Sequence, residues 1–269
     1  MANRPASSNK AKIARRVVEV LEYFDDAHRD ATVMDIVRRY DRPQSSTSEL
    51  LSSLVELGLL RKDREARTYS LTPRAALLGT GGQAGAVRDG RLVQLLDRLS
   101  SQTGLAVVLF GMTGLSTQVF AWRAASRGPA RDLCRTVGGL QHPLSHCAAG
   151  WLLLSTVAQP RRDGLLRRLN AEASDESKFV LNEMSARVET CAQTGQVRGS
   201  AGFGSSREMV AQLLPVEAAD EPLAVAILFG RDEPVNRDAL AGSIAEGIRL
   251  MMGEREDSPA TVTAFSTAA

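Results

Sequence analysis

The sequence predicts an α+β fold in two parts, on three observations. Residues 10–78 carry two runs of helical periodicity, a third helix edged with serine, and a short pair of strands. Residues 102–253 interleave strand and helix patterns through hairpin links, which favours an α+β domain over a doubly wound parallel sheet. Between the two, Gly79-Thr80-Gly81-Gly82-Gln83-Ala84-Gly85 gathers glycine without apolar partners, the composition of a flexible boundary.

Composition narrows the class. At 269 residues the chain has room for one large or two modest domains. Its 43% hydrophobic content and formal charge of +2 are ordinary for a globular protein. Residues 1–80 carry 14 Lys and Arg against 11 Asp and Glu, and the remainder 19 against 20. Polyanion binding must therefore rest on local arrangement and not on a cationic field. No apolar run reaches the length of about 18 residues that a spanning helix needs. The opening MANRPASSNKAK has basic residues but no apolar stretch behind them, unlike a secretory signal. A cytoplasmic protein with no membrane partner is the expectation. Three cysteines, Cys134, Cys147 and Cys191, are odd in number and widely spaced, which argues against a disulfide framework.

In order, residues 1–9 lack the apolar content to offset ordering entropy and read as a disordered arm, with Arg4, Lys10 and Lys12 nearby to touch a polyanion. Lys10 to Phe24 forms a helix with Ile13, Val17, Val20, Leu21 and Phe24 on one stripe. Asp25 to Asp30 is a polar loop. Thr32-x-x-Asp35 opens a short helix through Tyr40, with Val33, Ile36 and Val37 apolar. Asp41-Arg42-Pro43 turns the chain, because proline disfavours helix at Arg42 and cannot continue one itself. Ser46-x-x-Glu49 then has capping-box spacing. Leu50, Leu54 and Leu57 follow at helical spacing, widened by Leu51 and Val55, up to Gly58, where a helix end favours glycine. Leu59 to Lys62 and Arg67 to Leu71 read as strands joined at Asp63 to Ala66.

Helix, tight turn, helix and cationic hairpin make the pattern of a winged helix-turn-helix domain, whose second helix enters the major groove of DNA. Gln44, Ser45, Ser46, Thr47 and Ser48 open that helix, with Ser52 one turn on, where short side chains and free amides meet bases or phosphates. Arg42 in the turn and Arg61, Lys62, Arg64 and Arg67 on the hairpin are placed for phosphate contacts. The bland alternative, helix capping and surface filling, applies to one or two of the serines. Glu49 either accepts from a cytosine amino group or is held back in its capping box.

Thr72 to Leu78 continues as a helical connector, with Pro73 in its first turn. The glycines that follow are no phosphate loop, since no strand precedes them and no Lys-Ser or Lys-Thr follows. Arg88 to Ser101 is a connector helix with Leu92, Val93, Leu95, Leu96 and Leu99 apolar. Ala106 to Phe110 and Gln118 to Trp122 form a hairpin, and Leu133 to Val137 is a candidate third strand. Cys147 to Thr156, Arg161 to Ala171 and Glu176 to Ala192 are helical. Met209 to Val216 and Leu223 to Phe229 pair around an acidic turn, and Arg237 to Met252 closes the domain as a helix. Residues 254–269 are a polar, alanine-rich tail predicted to be disordered.

A small-molecule site needs an apolar concavity with few polar anchors. Ser145, His146 and Cys147, with the amides of Ala148 and Ala149 at a helix start, suit a carboxylate. Ile227, Leu228 and Phe229 on the last strand offer an apolar wall, which hints at an aromatic or aliphatic body on the ligand. His142 and His146 are four apart, but Pro143 interrupts a helix that would align them and no further ligand is spaced nearby, so no metal is expected. Adjacent Cys147 and His146 would point to different faces, against a nucleophile and base.

Several of these residues resemble the IclR family of bacterial transcription regulators. Pro43 through Gly58 and Leu60, with Ser45, Leu50, Leu51, Leu54 and Leu57, is similar to the family's winged-helix pattern, and Tyr69-Ser70-Leu71 to the end of its wing. Pro143-Leu-Ser-His-Cys-Ala-Ala-Gly150 resembles the motif that opens a helix beside the family's effector pocket. Val197-Arg-Gly-Ser-Ala-Gly202 is a weaker match. Two positions depart from the pattern: Glu49, where a basic residue is usual, and Trp151, where lysine is common. The resemblance implies an N-terminal DNA-binding domain and a C-terminal GAF-like effector domain. With the glycine-rich boundary and the order of elements, the expected bounds are 10–78 for a winged helix-turn-helix, 79–101 for a linker and connector helix, and 102–253 for the effector domain. It also implies a homodimer or homotetramer that binds double-stranded DNA, needs no cofactor, is not an enzyme, and answers to a small organic, often aromatic or carboxylate, effector. An enzyme working through the C-terminal pocket and a winged helix serving only protein contact are the alternatives.

Overall fold

The computed structural model describes residues 9–25, 28–83, 85–126 and 139–253. Residues 1–8 of the expected arm, the tail 254–269, the strand expected at Leu133 to Val137 and Cys134 lie outside the described residues. The fold is α+β. Two compact units divide at Gly82 and Gln83.

In the first unit α1 (Asn9–Tyr23), α2 (Val33–Tyr40) and α3 (Gln44–Glu56) precede an antiparallel hairpin of β1 (Leu60–Asp63) and β2 (Thr68–Leu71), then a short α4 (Pro73–Leu77). The α2 cap forms as its spacing predicts. Thr32 N–H donates to Asp35 Oδ2 at 2.8 Å, and Asp35 N–H donates to Thr32 Oγ1 at 3.3 Å. Val20, Ile36, Leu51, Leu54, Leu59, Leu60 and Tyr69 build the core. Ala31 bridges Tyr69 by both backbone bonds, at 2.9 and 2.8 Å, so the expected loop before α2 also supplies an edge to the hairpin.

Three expectations in this unit are corrected. The Ser46–Glu49 capping box does not form: Pro43 is the N-cap, and Ser46 sits inside the first turn with its hydroxyl on the Pro43 carbonyl. The buried stripe of α3 is Thr47, Leu51 and Leu54, while Leu57, at the C-cap, is 62% exposed. Ile13 is 57% exposed and outside the α1 stripe.

Among the described residues of the second unit, a six-stranded antiparallel sheet runs in the order β5-β4-β3-β8-β7-β6. Its strands are β3 (Ala106–Thr113), β4 (Ser116–Arg123), β5 (Gln141–Pro143), β6 (Gln196–Ser200), β7 (Arg207–Leu213) and β8 (Leu223–Gly230). A four-residue α5 (Gly85–Arg88) and α6 (Arg91–Thr103) replace the continuous connector helix, because Gly90 adopts φ +79° between them. Val93 faces out at 48% exposure. Gly85 is packed, not loose: a Cβ there would lie 2.6 Å from the Glu217 carbonyl oxygen.

The central strands alternate their side chains between two cores, as a pleated strand must. Phe110, Met209, Ala224, Ala226 and Leu228 pack with α7 (Ala148–Ser155), α8 (Arg161–Glu172) and α9 (Leu181–Thr194). Val107, Leu109, Val225, Ile227 and Phe229 pack on the other side with α6 and α10 (Arg237–Gly253). Alanine and glycine let α7 approach its face closely. A Cβ on Gly150 would sit 2.1 Å from the Leu144 carbonyl oxygen.

Candidate functional site

The first unit presents α3 with one side buried and the other free. Gln44, Ser45, Glu49 and Ser52 are exposed, and Ser46 and Ser48 are half-buried. Thr47 is 1% exposed and donates to the Pro43 carbonyl at 2.9 Å, so it belongs to the core and is withdrawn from the DNA-facing set. Arg42, expected on phosphate, is instead ion-paired with Glu19 of α1. Arg16 Nη2 donates to Ser46 Oγ at 2.8 Å, and the Tyr40 hydroxyl donates to the Glu19 carbonyl at 2.6 Å. Arg16, Glu19, Tyr40 and Arg42 line a cavity of about 10 Å³ between α1, α2 and the start of α3. Arg16 was not singled out by sequence. Its signal, a cation one turn before Val20 on α1, is too common to be distinctive.

Arg61, Lys62, Arg64 and Arg67 are all exposed on the hairpin. The Asp63 carboxylate shapes the loop by accepting from the Glu65 and Ala66 amides at 2.8 and 3.0 Å. Lys62 lies 5.5 Å over the Tyr69 ring, which holds its stem against the hairpin. Arg67 takes φ +55° at the loop's close.

In the second unit the chain from β5 enters a short 3-10 turn, Leu144–His146, before Cys147 caps α7. Ser145, His146, Cys147, Ala148 and Ala149 are contiguous there, but Ile227 and Phe229 are not with them. Those two lie in the core on the opposite face of the sheet, and of the three residues expected on the wall Leu228 alone faces the α7 side. What gathers around the turn is aromatic. His142 lies 5.4 Å from His146 and 4.9 Å from Phe203, and Phe203 stacks on Phe110 at 5.9 Å, measured between ring centroids. Phe203 has φ +54° between Gly202 and Gly204, and a Cβ on Gly202 would meet the Cys147 Cβ at 2.7 Å.

Two buried polar atoms at this turn, Ser145 Oγ and His142 Nδ1, have no protein partner among the described residues. Burial, then neighbouring His146, holds the His142 imidazole below its ordinary pKa. Burial pushes the Cys147 thiol up, and its side-chain partner is Thr117 Oγ1 at 3.7 Å, not His146. Such a thiol is poorly suited to nucleophilic work. Trp151 packs against this core, with its indole N–H on the Ser145 carbonyl. Among the described residues no group of three or more His, Cys, Asp or Glu is arranged to hold a metal, and no helix is long and apolar enough to cross a membrane.

Comparison with known proteins agrees with this architecture. The sequence model of the IclR helix-turn-helix domain matches residues 14–64. No curated protein sequence gives a match. Among solved structures, the chain is similar to an IclR transcriptional regulator from Alicyclobacillus acidocaldarius, at TM-score 0.56 and 17% identity over 92% of this chain and 98% of that one. It is also similar to the IclR of Thermotoga maritima, at TM-score 0.56 and 13% identity over 91% and 98%. An IclR homolog from Microbacterium hydrocarbonoxydans complexed with 4-hydroxybenzoate aligns at TM-score 0.53 and 15% identity over 91% and 100%. At these identities the solved structures speak to fold, and the N-terminal match speaks to the DNA-binding domain. The chain carries an IclR helix-turn-helix domain within the fold of the IclR-family transcriptional regulators.

Proposed function

We propose that this chain is a ligand-responsive, cytoplasmic regulator of a catabolic operon, which binds a pseudo-palindromic operator as a homodimer or dimer of dimers. The observation that carries the reading is the pairing of an exposed serine and glutamate face on α3 with four exposed cations on the adjoining hairpin. Ser45, Ser46, Ser48, Ser52 and Gln44 meet the groove, and Arg61, Lys62, Arg64 and Arg67 grip the backbone beside it. Two such domains would engage half-sites about one helical turn apart. Full-length protein should bind a duplex from its own upstream region with a steep salt dependence. Arg64→Ala should weaken every sequence alike and lower the salt slope by about one. A flat salt response would favour a winged helix used only for protein contact.

The effector reading places a small aromatic or carboxylate molecule against His142, Ser145, His146 and Phe203. It draws support from the two unpartnered polar atoms and the ring cluster at that turn. The 4-hydroxybenzoate bound by the Microbacterium homolog is a ligand of the class such a site would take. The raised pKa of Cys147 supports a binding role over turnover. To act as a switch, the ligand must favour one DNA-binding state over the other, since equal affinity shifts nothing. Thermal-shift screening against aromatic acids, oxo acids and sugar acids tests this: a bound ligand raises the melting point by mass action, and the compounds should be recovered unchanged.

A further inference from the structure

The hydrogen-bond polarity of α3 carries a specificity that the residue types alone do not. Ser46 Oγ receives Arg16 Nη2 at 2.8 Å, and a guanidinium only donates. The serine's own hydrogen is therefore directed to its other partner, the Pro43 carbonyl at 3.2 Å. What Ser46 has left is an acceptor lone pair. One turn on, Glu49 is exposed and its carboxylate only accepts. Ser53, a further turn along, spends its hydrogen on the Glu49 carbonyl at 3.1 Å. Residues 46, 49 and 53 follow i, i+3, i+7 spacing and so form one stripe.

Resting on the reading of α3 as the helix in the groove, we propose that this stripe reads base-edge amino groups. In the major groove the available donors are adenine N6 and cytosine N4, whereas guanine O6 and N7, thymine O4 and phosphate oxygens accept. An acceptor stripe gains nothing from the second set and pairs with the first. Arg16 is then a positioning residue: it fixes the Ser46 hydroxyl as an acceptor without itself being assigned a base. Glu49 reads directly, and the hairpin cations offset its repulsion from the backbone.

The test uses full-length protein and a random duplex library. In the selected site each adenine is replaced in turn by purine, which lacks the 6-amino group, and each cytosine by 2-pyrimidinone, which lacks the 4-amino group. Affinity is read by fluorescence anisotropy. At one or more base pairs in each half-site, removal of the amino group should cost about tenfold. Ser46→Ala or Glu49→Ala should make binding indifferent to that removal. Arg16→Met should blunt the amino-group effect, and Arg16→Lys, which keeps a donor, should restore it, with melting curves confirming that each variant folds. A selected site insensitive to every amino removal, or an equal loss in wild type and variants, overturns the proposal while leaving DNA recognition by α3 intact. Failure to select any site overturns both.

Discussion

The indole N–H of Trp151 donates to the backbone carbonyl of Ser145 at 2.8 Å, tying the turn after β5 to the helix that follows it. The Arg187 guanidinium lies 5.2 Å over the same ring. The bond fixes the backbone of Ser145 but leaves its buried hydroxyl without a partner among the described residues. Packing order here sustains an unsatisfied group, and its cost should be visible in the free protein.

Ser145→Ala should therefore leave the free protein unchanged or stabilise it by up to about 1 kcal/mol, since an unpaired buried hydroxyl is removed. The same variant should lose part of the thermal shift that a hydrogen-bonding ligand gives. Chemical denaturation and ligand thermal shift measure the two effects. A marked loss of stability without ligand would mean that the hydroxyl has a protein partner.

Gly150→Ala should destabilise the C-terminal unit by about 3 kcal/mol or more, at the upper end of overpacking costs. The added methyl would meet the Leu144 carbonyl oxygen at 2.1 Å and Thr117 Oγ1 at 2.6 Å, and the nearer group is backbone that cannot rotate away. An unaltered denaturation midpoint would show that α7 can retreat from the turn.

His142 should make stability fall with acid. Burial and His146 place its folded pKa below the ordinary value of 6.5, so the unfolded chain takes up the proton first. The contribution is complete above 6.5 and is lost as pH falls from there through the folded pKa. Denaturation midpoints for wild type and His142→Gln, followed from about pH 7.5 to 5, should converge toward acid pH. A constant difference between them would contradict the assignment.

Asp41 closes α2 in the left-handed region, at φ +50° and ψ +59°, and hands the chain to the turn before α3. Asp41→Val should cost about 1–2 kcal/mol and weaken DNA binding in proportion, while Asp41→Gly should be tolerated. Circular dichroism melting separates the two, and equal melting points would refute the strain argument.

Local chemistry was legible where it was complete within a few residues. Thr32 and Asp35 announce their cap by spacing alone, and the alternation around Tyr69 announces the hairpin. The face of β8 was not legible, because Leu223 through Phe229 are all apolar and buried on both sides. Such a strand gives no alternation from which to assign Ile227 and Phe229 to one core or the other. The α3 stripe misled for a different reason. Thr47 looks polar, but its hydroxyl is satisfied by the Pro43 carbonyl and can be buried, which rotates the helix and brings Leu57 outward. β6 was missed because it pairs on one side only and contributes Val197 as its single large apolar residue. The meeting of His142 and His146 with Phe203 joins segments some sixty residues apart and from opposite edges of the sheet, brought together where Gly202 packs on Cys147 at the start of α7.

The central claim is that α3 lies in a duplex groove while the cationic hairpin holds the adjoining strand. A footprint of the full-length protein on its own upstream region tests it most directly. Two protected half-sites centred about one helical turn apart are predicted, both lost with Arg61, Lys62, Arg64 and Arg67 changed together to alanine. An even, unprotected cleavage trace at protein concentrations that saturate any other binding would contradict it.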